Sequence, residues 1–158
     1  MLITEEHRSS ETQKHIADPD YGGESIEYAD LISTTINQLQ VKDVLDYGAG
    51  KGELHHYLAL DHEVALHLYD PAIQKIAELP EPHDLVLCIN VLEHVEEDCL
   101  DAVLADLVRC AKRNIFIVIK EDTPMEWWIE KIMRRFRIES IVRSDIDFFL
   151  IASKKNGN

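Results

Sequence analysis

A carboxylate and three glycines stand close together in residues 46–52, the run Asp-Tyr-Gly-Ala-Gly-Lys-Gly, directly after the apolar pair Val44 and Leu45. Glycine has no Cβ and accepts positive φ angles, so a ligand can lie directly against the backbone of such a turn. A buried strand, a glycine turn and a following helix form the arrangement in which α/β proteins hold adenosine-containing ligands. The run therefore predicts a ligand-binding turn at the carboxyl end of a strand.

Two other glycine motifs do not fit this run. A dinucleotide-binding motif would place its third glycine at position 53, where the chain has Glu53, and a carboxylate at a helix start repels a pyrophosphate. A phosphate-binding loop needs Ser or Thr after Gly-Lys, whereas Lys51 is followed by Gly52. These departures indicate a ligand without a phosphate chain, and they weigh against an NAD-dependent oxidoreductase.

The spacing Asp-x-Gly-x-Gly-x-Gly resembles the first motif of class I S-adenosylmethionine-dependent methyltransferases. Their cofactor carries a sulfonium and an amino-acid end but no phosphate, which agrees with the excluded motifs. The resemblance implies that Asp46 helps to hold the turn and the cationic methionine end of S-adenosylmethionine. It also implies that the backbone of Gly48, Ala49 and Gly50 contacts this cofactor.

A second carboxylate, Asp70, follows Gly50 by 20 residues and ends the next predicted strand. At this place in nucleotide-binding α/β folds an acid accepts hydrogen bonds from a ribose diol, which makes Asp70 and its neighbour Pro71 candidate cofactor-binding residues. The alternative is that Asp70 caps a short helix beginning at Pro71, because Asp-Pro commonly starts helices. One carboxylate can serve both roles.

Residues 90–95, Asn-Val-Leu-Glu-His-Val, follow a third apolar segment. They resemble the Leu-Glu-His-Val element of many small-molecule methyltransferases, and residues at this topological position border the ligand. The resemblance implies cofactor contacts by Asn90 and Val91, and it makes Glu93 and His94 candidates for catalysis or acceptor contact. The alternative is a Glu–His pair that only braces the loop. Asn90 stands where some of those enzymes have a metal-binding acid, and an amide is a weaker ligand, so we expect no metal ion here.

The same residues limit the methyl acceptor. Enzymes that methylate exocyclic base amines have Pro-Pro-aromatic at the place of Val91 and Leu92, and the Pro-Cys pair needed for cytosine C5 methylation does not occur in the chain. The net charge of −14, from 30 acidic and 16 basic residues, is also unsuited to a polyanion. We therefore expect a small-molecule acceptor rather than nucleic acid.

Residues 1–24 are polar and lack apolar periodicity, so we expect a mobile N-terminal arm or lid ahead of a single domain at residues 25–158. In enzymes of the resembling family, an aromatic residue ahead of the first helix contacts the methionine end of the cofactor, which implies that role for Tyr21. The alternative is a flexible tail that merely ends in the turn at Gly22 and Gly23.

Apolar segments that alternate with amphipathic ones predict an α/β fold. With the resemblance, this becomes a Rossmann-like methyltransferase sandwich with a mainly parallel sheet, a C-terminal antiparallel strand pair and one family strand missing. Predicted strands cover 43–47, 64–69, 84–90, 115–119, 137–143 and 147–152. Predicted helices cover 25–39, the glycine turn to 60, 72–79 and 96–113, and a capping box at 123–126 predicts the start of another.

Length and composition argue against a membrane protein, a secreted protein and a disulfide-rich protein. A chain of 158 residues is one domain, no run approaches the ~20 apolar residues of a membrane span, and charges interrupt the N-terminus where a signal peptide would be apolar. Three cysteines without a C-x-x-C pair are expected to be small buried hydrophobes in a reducing cytoplasm. We expect a cytoplasmic S-adenosylmethionine-dependent methyltransferase, monomeric or homodimeric. The alternative is a non-catalytic protein that binds S-adenosylmethionine or S-adenosylhomocysteine, or that supports a partner enzyme.

Overall fold

The computed structural model describes residues 1–120 and 123–155. The helices are α1 Glu5–Ala17, α2 Ala29–Leu39, α3 Glu97–Cys110 and α4 Met125–Met133. The strands are β1 Asp43–Tyr47, β2 Ala65–Tyr69, β3 His83–Ile89, β4 Ala111–Lys120, β5 Phe136–Arg143 and β6 Asp147–Lys154. Short 3-10 turns cover Gly23–Tyr28, Glu53–Tyr57, Gln74–Ile76 and Leu92–His94.

These strands form one sheet in the order β2-β1-β3-β4-β6-β5. β2, β1, β3 and β4 run parallel, whereas β6 pairs antiparallel with both β4 and β5. The predicted α/β sandwich, with its mainly parallel sheet and its C-terminal antiparallel pair, is therefore confirmed. The chain passes from β1 to β2 on one side and then to β3 on the other, and such a reversal opens a crevice at the carboxyl ends of the strands.

The sheet is covered on both faces, which is why its central strands are nearly all apolar. On one face Leu45 and Val86 belong to a buried cluster with Leu104 of α3. On the other face Val44 and Leu85 belong to a second cluster, which includes the apolar side of α2. The three cysteines are free and buried, as expected. Within the described ranges, no helix has the length and apolarity that crossing a membrane requires.

β2 is the outer strand on its side of the sheet, because its connection to β3 contains no further strand. Residues 70–82, all of which are described, contain the 3-10 turn Gln74–Ile76 and otherwise irregular backbone. The helix predicted at 72–79 is therefore wrong. The N–H of Asp70 donates to the carbonyl of Ile76 at 3.1 Å, which folds this segment back on itself as a loop. The missing strand is confirmed, and its absence leaves β2 at the edge.

Within residues 1–24, the segment expected to be a mobile arm or lid, Glu5–Ala17 form α1, a helix that the sequence analysis did not predict. Thr4 caps this helix, since its hydroxyl accepts a hydrogen bond from the N–H of His7 at 3.2 Å. Acids in the first turn and bases in the last turn suit the helix dipole. None of the residues of α1 is buried, so the segment has no apolar stripe from which a helical period could be read.

Further helix boundaries differ from the prediction. The helix expected over 25–39 begins only at Ala29, after the 3-10 turn Gly23–Tyr28. The helix expected from the glycine turn to residue 60 is only the 3-10 turn Glu53–Tyr57, in which Leu54 is buried and Tyr57 is exposed. The capping box at 123–126 does not form, because Pro124 occupies the cap of α4 and no side chain hydrogen-bonds there. α3 ends at Cys110 and β4 begins at the next residue, so residues 111–113 belong to the strand.

Candidate active site

A cavity of about 510 Å³ lies at the carboxyl ends of β1, β2 and β3. Its walls come from the glycine turn, the end of β2, the segment after β3 and the N-terminal segment that contains α1. The predicted site residues that line it are Tyr21, Gly48, Gly50, Asp70, Pro71, Asn90, Val91, Glu93 and His94. Asp46 and Ala49 are not among the lining residues. The sheet thus brings together, in one cavity, residues that are far apart in the sequence.

The glycine turn is fixed to the end of β2 by its own backbone. The N–H groups of Gly48 and Ala49 both donate to the carbonyl of Tyr69, at 2.7 and 3.0 Å. The three glycines, Gly48, Gly50 and Gly52, have φ angles of 80°, 53° and 75°. A Cβ on Gly48 would lie only 2.4 Å from Cγ2 of Val91. Only glycine therefore fits at position 48, where the turn packs against the segment after β3.

The buried carboxylate of Asp70 joins two segments of the cavity floor. Its Oδ2 accepts a hydrogen bond from the N–H of Gly50 at 3.0 Å, and its Oδ1 accepts one from the N–H of Ala72 at 2.9 Å. These bonds brace the turn and the loop after β2, whereas the alternative that the sequence left open was the capping of a helix beginning at Pro71, where no helix forms. A carboxylate has about four acceptor positions, so two bonds leave capacity for a hydroxyl of a ligand in the cavity.

Asp46 lies beneath the glycine turn rather than in the cavity wall. It is 3% exposed, and burial, with a smaller contribution from the charge of Asp70, raises its pKa to about 7. Its Oδ2 is 3.7 Å from Nε2 of His55, whose pKa is lowered by burial. Burial therefore favours the neutral form of both groups.

Asn90, directly after β3, is held in an uncommon backbone conformation with φ of 53°. Its N–H donates to the carbonyl of Val118 at 3.0 Å, which ties it to β4. Both the Oδ1 and the Nδ2 of its side chain are buried, and neither finds a hydrogen-bond partner in the part of the chain that is described. A buried amide that lacks both kinds of partner is costly, and its position in the cavity wall makes Asn90 a candidate for ligand contact.

Glu93 presents a second incompletely bonded group to the same cavity. Its Oε1 accepts a hydrogen bond from the N–H of Lys120 at 3.0 Å, while its buried Oε2 has no partner among residues 1–120 and 123–155. Burial raises the pKa of this carboxyl. The neighbouring His94 is exposed at the cavity rim, and its N–H donates to the carbonyl of Val91 at 3.0 Å.

The N-terminal segment closes the cavity through several polar contacts, besides the packing of Leu2 against the core. The N–H and the hydroxyl of Thr4 donate to the carboxylate of Glu96 at 3.1 and 2.7 Å. The hydroxyl of Thr12 donates to the carbonyl of Ala72 at 2.7 Å. Nζ of Lys51 donates to the carbonyls of Asp18 and Pro19 at 2.7 Å each. These bonds reach the residue that precedes α3, the loop after β2 and the glycine turn. The segment is therefore positioned to act as a lid.

Tyr21 lines the cavity, as expected, but it also contacts residues of α1 that the sequence did not single out. Its hydroxyl donates to Glu11 at 2.7 Å, and its ring packs edge-on against that of His15 with 4.9 Å between centroids. Glu11 and His15 themselves line the cavity. The sequence signal that could have found them is the helix start at Thr4, followed by two acids and ending in two bases.

No protein-family model and no curated relative matches this sequence. Solved structures do match it. The Burkholderia thailandensis 1,6-didemethyltoxoflavin-N1-methyltransferase, with bound 1,6-didemethyltoxoflavin and S-adenosylhomocysteine, superposes with a TM-score of 0.73 at 18% identity, over 94% of this chain and 87% of that one. The N-methyltransferase NodS from Bradyrhizobium japonicum WM9, in complex with S-adenosylhomocysteine, superposes with a TM-score of 0.70 at 13% identity, over 95% of this chain and 100% of that one.

A third match is the magnesium protoporphyrin IX methyltransferase from Synechocystis PCC 6803 with bound S-adenosylmethionine. It has a TM-score of 0.64 at 18% identity and covers 82% of this chain and 79% of that one. At these identities the likeness shows the fold. The chain therefore has the fold of class I S-adenosylmethionine-dependent methyltransferases, as the glycine motif implied.

The close approach of Gly48 to Val91 gives a stability test. Gly48→Ala places a methyl group at positive φ against Val91, so we expect a loss of about 2–4 kcal/mol in the free energy of unfolding. Urea denaturation measures it. Gly23→Ala is the matched control, because its φ is not positive and its Cβ would meet Glu53 at an ordinary 3.6 Å. Equal effects of the two substitutions would contradict the proposed close packing of the turn.

The raised pKa of Asp46 gives a pH test. Between pH about 4 and 7 this carboxyl is protonated in the folded chain and ionised in the unfolded chain, so its contribution to stability is lost as pH rises through about 7. Asp46→Asn avoids that loss, so its stability relative to wild type should rise from pH 5 to 7.5, by at most about 1.4 kcal/mol per unit. Denaturation at several pH values, with the exposed Asp145→Asn as control, checks this. A difference independent of pH would show that Asp46 is ionised throughout.

Proposed function

We propose that this protein is an S-adenosylmethionine-dependent methyltransferase that acts on a small molecule. The observation that carries the proposal is the buried amide of Asn90, which has no partner among the described residues. It lies beside a bare glycine turn at the carboxyl ends of the strands of a methyltransferase-type sheet. An amide offers both a donor and acceptors, and S-adenosylmethionine has an amino-acid end and an adenosine that present both. The polar groups of the cavity therefore fit this cofactor.

Each part of the cavity has a role in this proposal. The backbone of Gly48 and Gly50 lies against the cofactor, and Asp70 accepts hydrogen bonds from its ribose hydroxyls. Asn90 and Val91 border its reactive end, while Tyr21 covers it from the lid. Asp46 acts from beneath by holding the turn with Ala49, since neither lines the cavity. When bound, S-adenosylmethionine supplies an electrophilic methyl group, and the protein supplies orientation and exclusion of water.

The acceptor in this proposal is a small molecule with an amine or hydroxyl. The cavity volume of about 510 Å³ lies within the range of small-molecule sites, about 300–1,000 Å³, and the contacts of α1 restrict access to anything larger. Glu93 receives the acceptor's proton at Oε2, because that oxygen is buried in the cavity wall and its carboxyl has a raised pKa that favours proton uptake. His94, at the rim, contacts the outer part of the acceptor.

Two of the matched structures support a small-molecule methyl acceptor, one through its bound molecule and the other through the substrate in its name. One is solved with bound 1,6-didemethyltoxoflavin, and another is a magnesium protoporphyrin IX methyltransferase. The proposal also places the protein in the reducing cytoplasm, since Cys88, Cys99 and Cys110 are buried without disulfides.

The first test measures ligand binding by isothermal titration. We expect S-adenosylhomocysteine to bind, and we expect 5′-methylthioadenosine to bind more tightly than its 2′-deoxy analogue if Asp70 holds the ribose. Asp70→Ala should weaken 5′-methylthioadenosine by about 10–100-fold and remove the preference between the two nucleosides. If Asp70 only braces Gly50 and Ala72, both nucleosides weaken equally. If wild type does not bind S-adenosylhomocysteine at saturation, the proposed function fails.

The second test separates catalysis from binding. Transfer of tritiated methyl groups from S-adenosylmethionine into a metabolite pool should be detectable with wild type and reduced about 10²–10⁴-fold by Glu93→Gln. The affinity of Glu93→Gln for S-adenosylhomocysteine should stay within twofold of wild type. His94→Gln is the matched control, and we expect it to transfer faster than Glu93→Gln. Unchanged transfer by Glu93→Gln would exclude its proposed role, and tight binding without any transfer by wild type would favour a non-catalytic binding protein.

A further inference from the structure

A second group of polar side chains lies in the amino-terminal half of the sheet, away from the cavity. Asp43 is the first residue of β1, His83 is the first residue of β3, and His67 is in the middle of β2. β1 lies between β2 and β3 in the sheet, so three neighbouring strands each contribute one of these residues. None of the three lines the cavity, and the proposed methyl transfer does not use them.

The geometry of the group is that of a set of metal ligands. Asp43 Oδ1 hydrogen-bonds with Nδ1 of His83 and is 4.0 Å from Nε2 of His67. One potential ligand atom from each residue lies within 4.8 Å of the others. The imidazole rings of His67 and His83 are 4.4 Å apart between centroids and inclined by 36°. Small side-chain shifts would place all three atoms at about 2 Å from a common centre.

We propose that Asp43, His67 and His83 bind a divalent transition-metal ion such as Zn²⁺. Two imidazoles and one carboxylate are ligands that Zn²⁺ accepts, with water completing the coordination. The site is accessible, because the His67 side chain is 48% exposed, while that of His83 is 9% exposed and anchored. This departs from the sequence expectation of no metal, which considered the segment around Asn90 and not these strands.

A nearby cation competes with the metal. Nζ of Lys112 is 3.7 Å from Oδ2 of Asp43, so an ammonium group already partly neutralises the carboxylate. Metal binding must displace this contact or share the carboxylate with it. Removing the Lys112 charge should therefore strengthen metal binding and leave all three ligands in place. If the three residues formed only a hydrogen-bonded surface cluster, the same change would produce no affinity for the metal.

The consequence for the fold is a link between the edge strand and its neighbours. β2 has exposed side chains at Ala65 and His67, and the connection that follows contains no strand or α-helix to cover it. A metal ion held by β1, β2 and β3 together would hold this strand in register. Since the ion would bind the folded chain preferentially, it should raise stability with concentration.

The test titrates Zn²⁺ into the 158-residue chain by calorimetry and follows Co²⁺ binding by its visible absorption. We expect one ion per chain, a rise in the melting temperature with Zn²⁺, and a loss of affinity of at least about 100-fold in His67→Ala, since losing even an outer partner of a metal ligand costs about 10–100-fold. His56→Ala is the matched control, because this exposed histidine lies outside the group, and its affinity should match wild type.

A second variant keeps all three ligands. Lys112→Gln should bind Zn²⁺ several-fold more tightly than wild type, and it tests the site even if His67→Ala folds poorly. The proposal is overturned if wild type binds no Zn²⁺, if His67→Ala binds it as tightly as His56→Ala, or if Lys112→Gln gains nothing. None of these readouts depends on methyl transfer, so the metal proposal and the proposed function can fail separately.

Discussion

The end of β2 determines the shape of the ligand site, because it holds the glycine turn that follows β1. Three consecutive N–H groups of the turn donate to two neighbouring residues: Gly48 and Ala49 to the carbonyl of Tyr69, and Gly50 to the carboxylate of Asp70. The parallel pairing of β1 with β2, which runs as far as Tyr47 opposite Tyr69, puts these groups within reach. The turn is thus ordered by the sheet, and a ligand does not have to pay that ordering entropy.

In the cavity, the backbone N–H groups of the glycine turn are hydrogen-bonded, whereas two polar side chains of the wall are not fully hydrogen-bonded within the described residues. The turn has backbone partners, whereas Asn90 and Oε2 of Glu93 are buried without partners in the described structure. Asn90 also has a positive φ, and the bond of its N–H to β4 keeps it there. Such groups cost stability, and the fully buried residues of β3 and β4 offset that cost. The unpartnered groups of Asn90 and Glu93 both lie in the cavity wall, where a bound ligand could supply their missing partners.

The parts of this structure that could be predicted from the sequence are those encoded by short local patterns of residues. The apolar strands and the glycine turn were predictable, since each is encoded within a few residues. α1 was not, because a helix that buries no residue has no apolar period, and its cavity residues Glu11 and His15 were missed with it. The helix expected after the turn was wrong because the pattern of Leu54 and Tyr57 does not correspond to a buried stripe. The group of Asp43, His67 and His83 depends on sheet order, which no local pattern contains.

The missing strand explains why so many polar contacts meet at β2. This strand is the least covered of the parallel four, with exposed residues alternating with half-buried ones until Tyr69. Yet its last residues fix the glycine turn, and the lid reaches the loop that follows it through Thr12 and Ala72. The contacts of the N-terminal segment therefore reach the part of the chain that also fixes the turn. β2 has a strand partner on one side only, and side-chain contacts just beyond its carboxyl end add to its backbone pairing with β1.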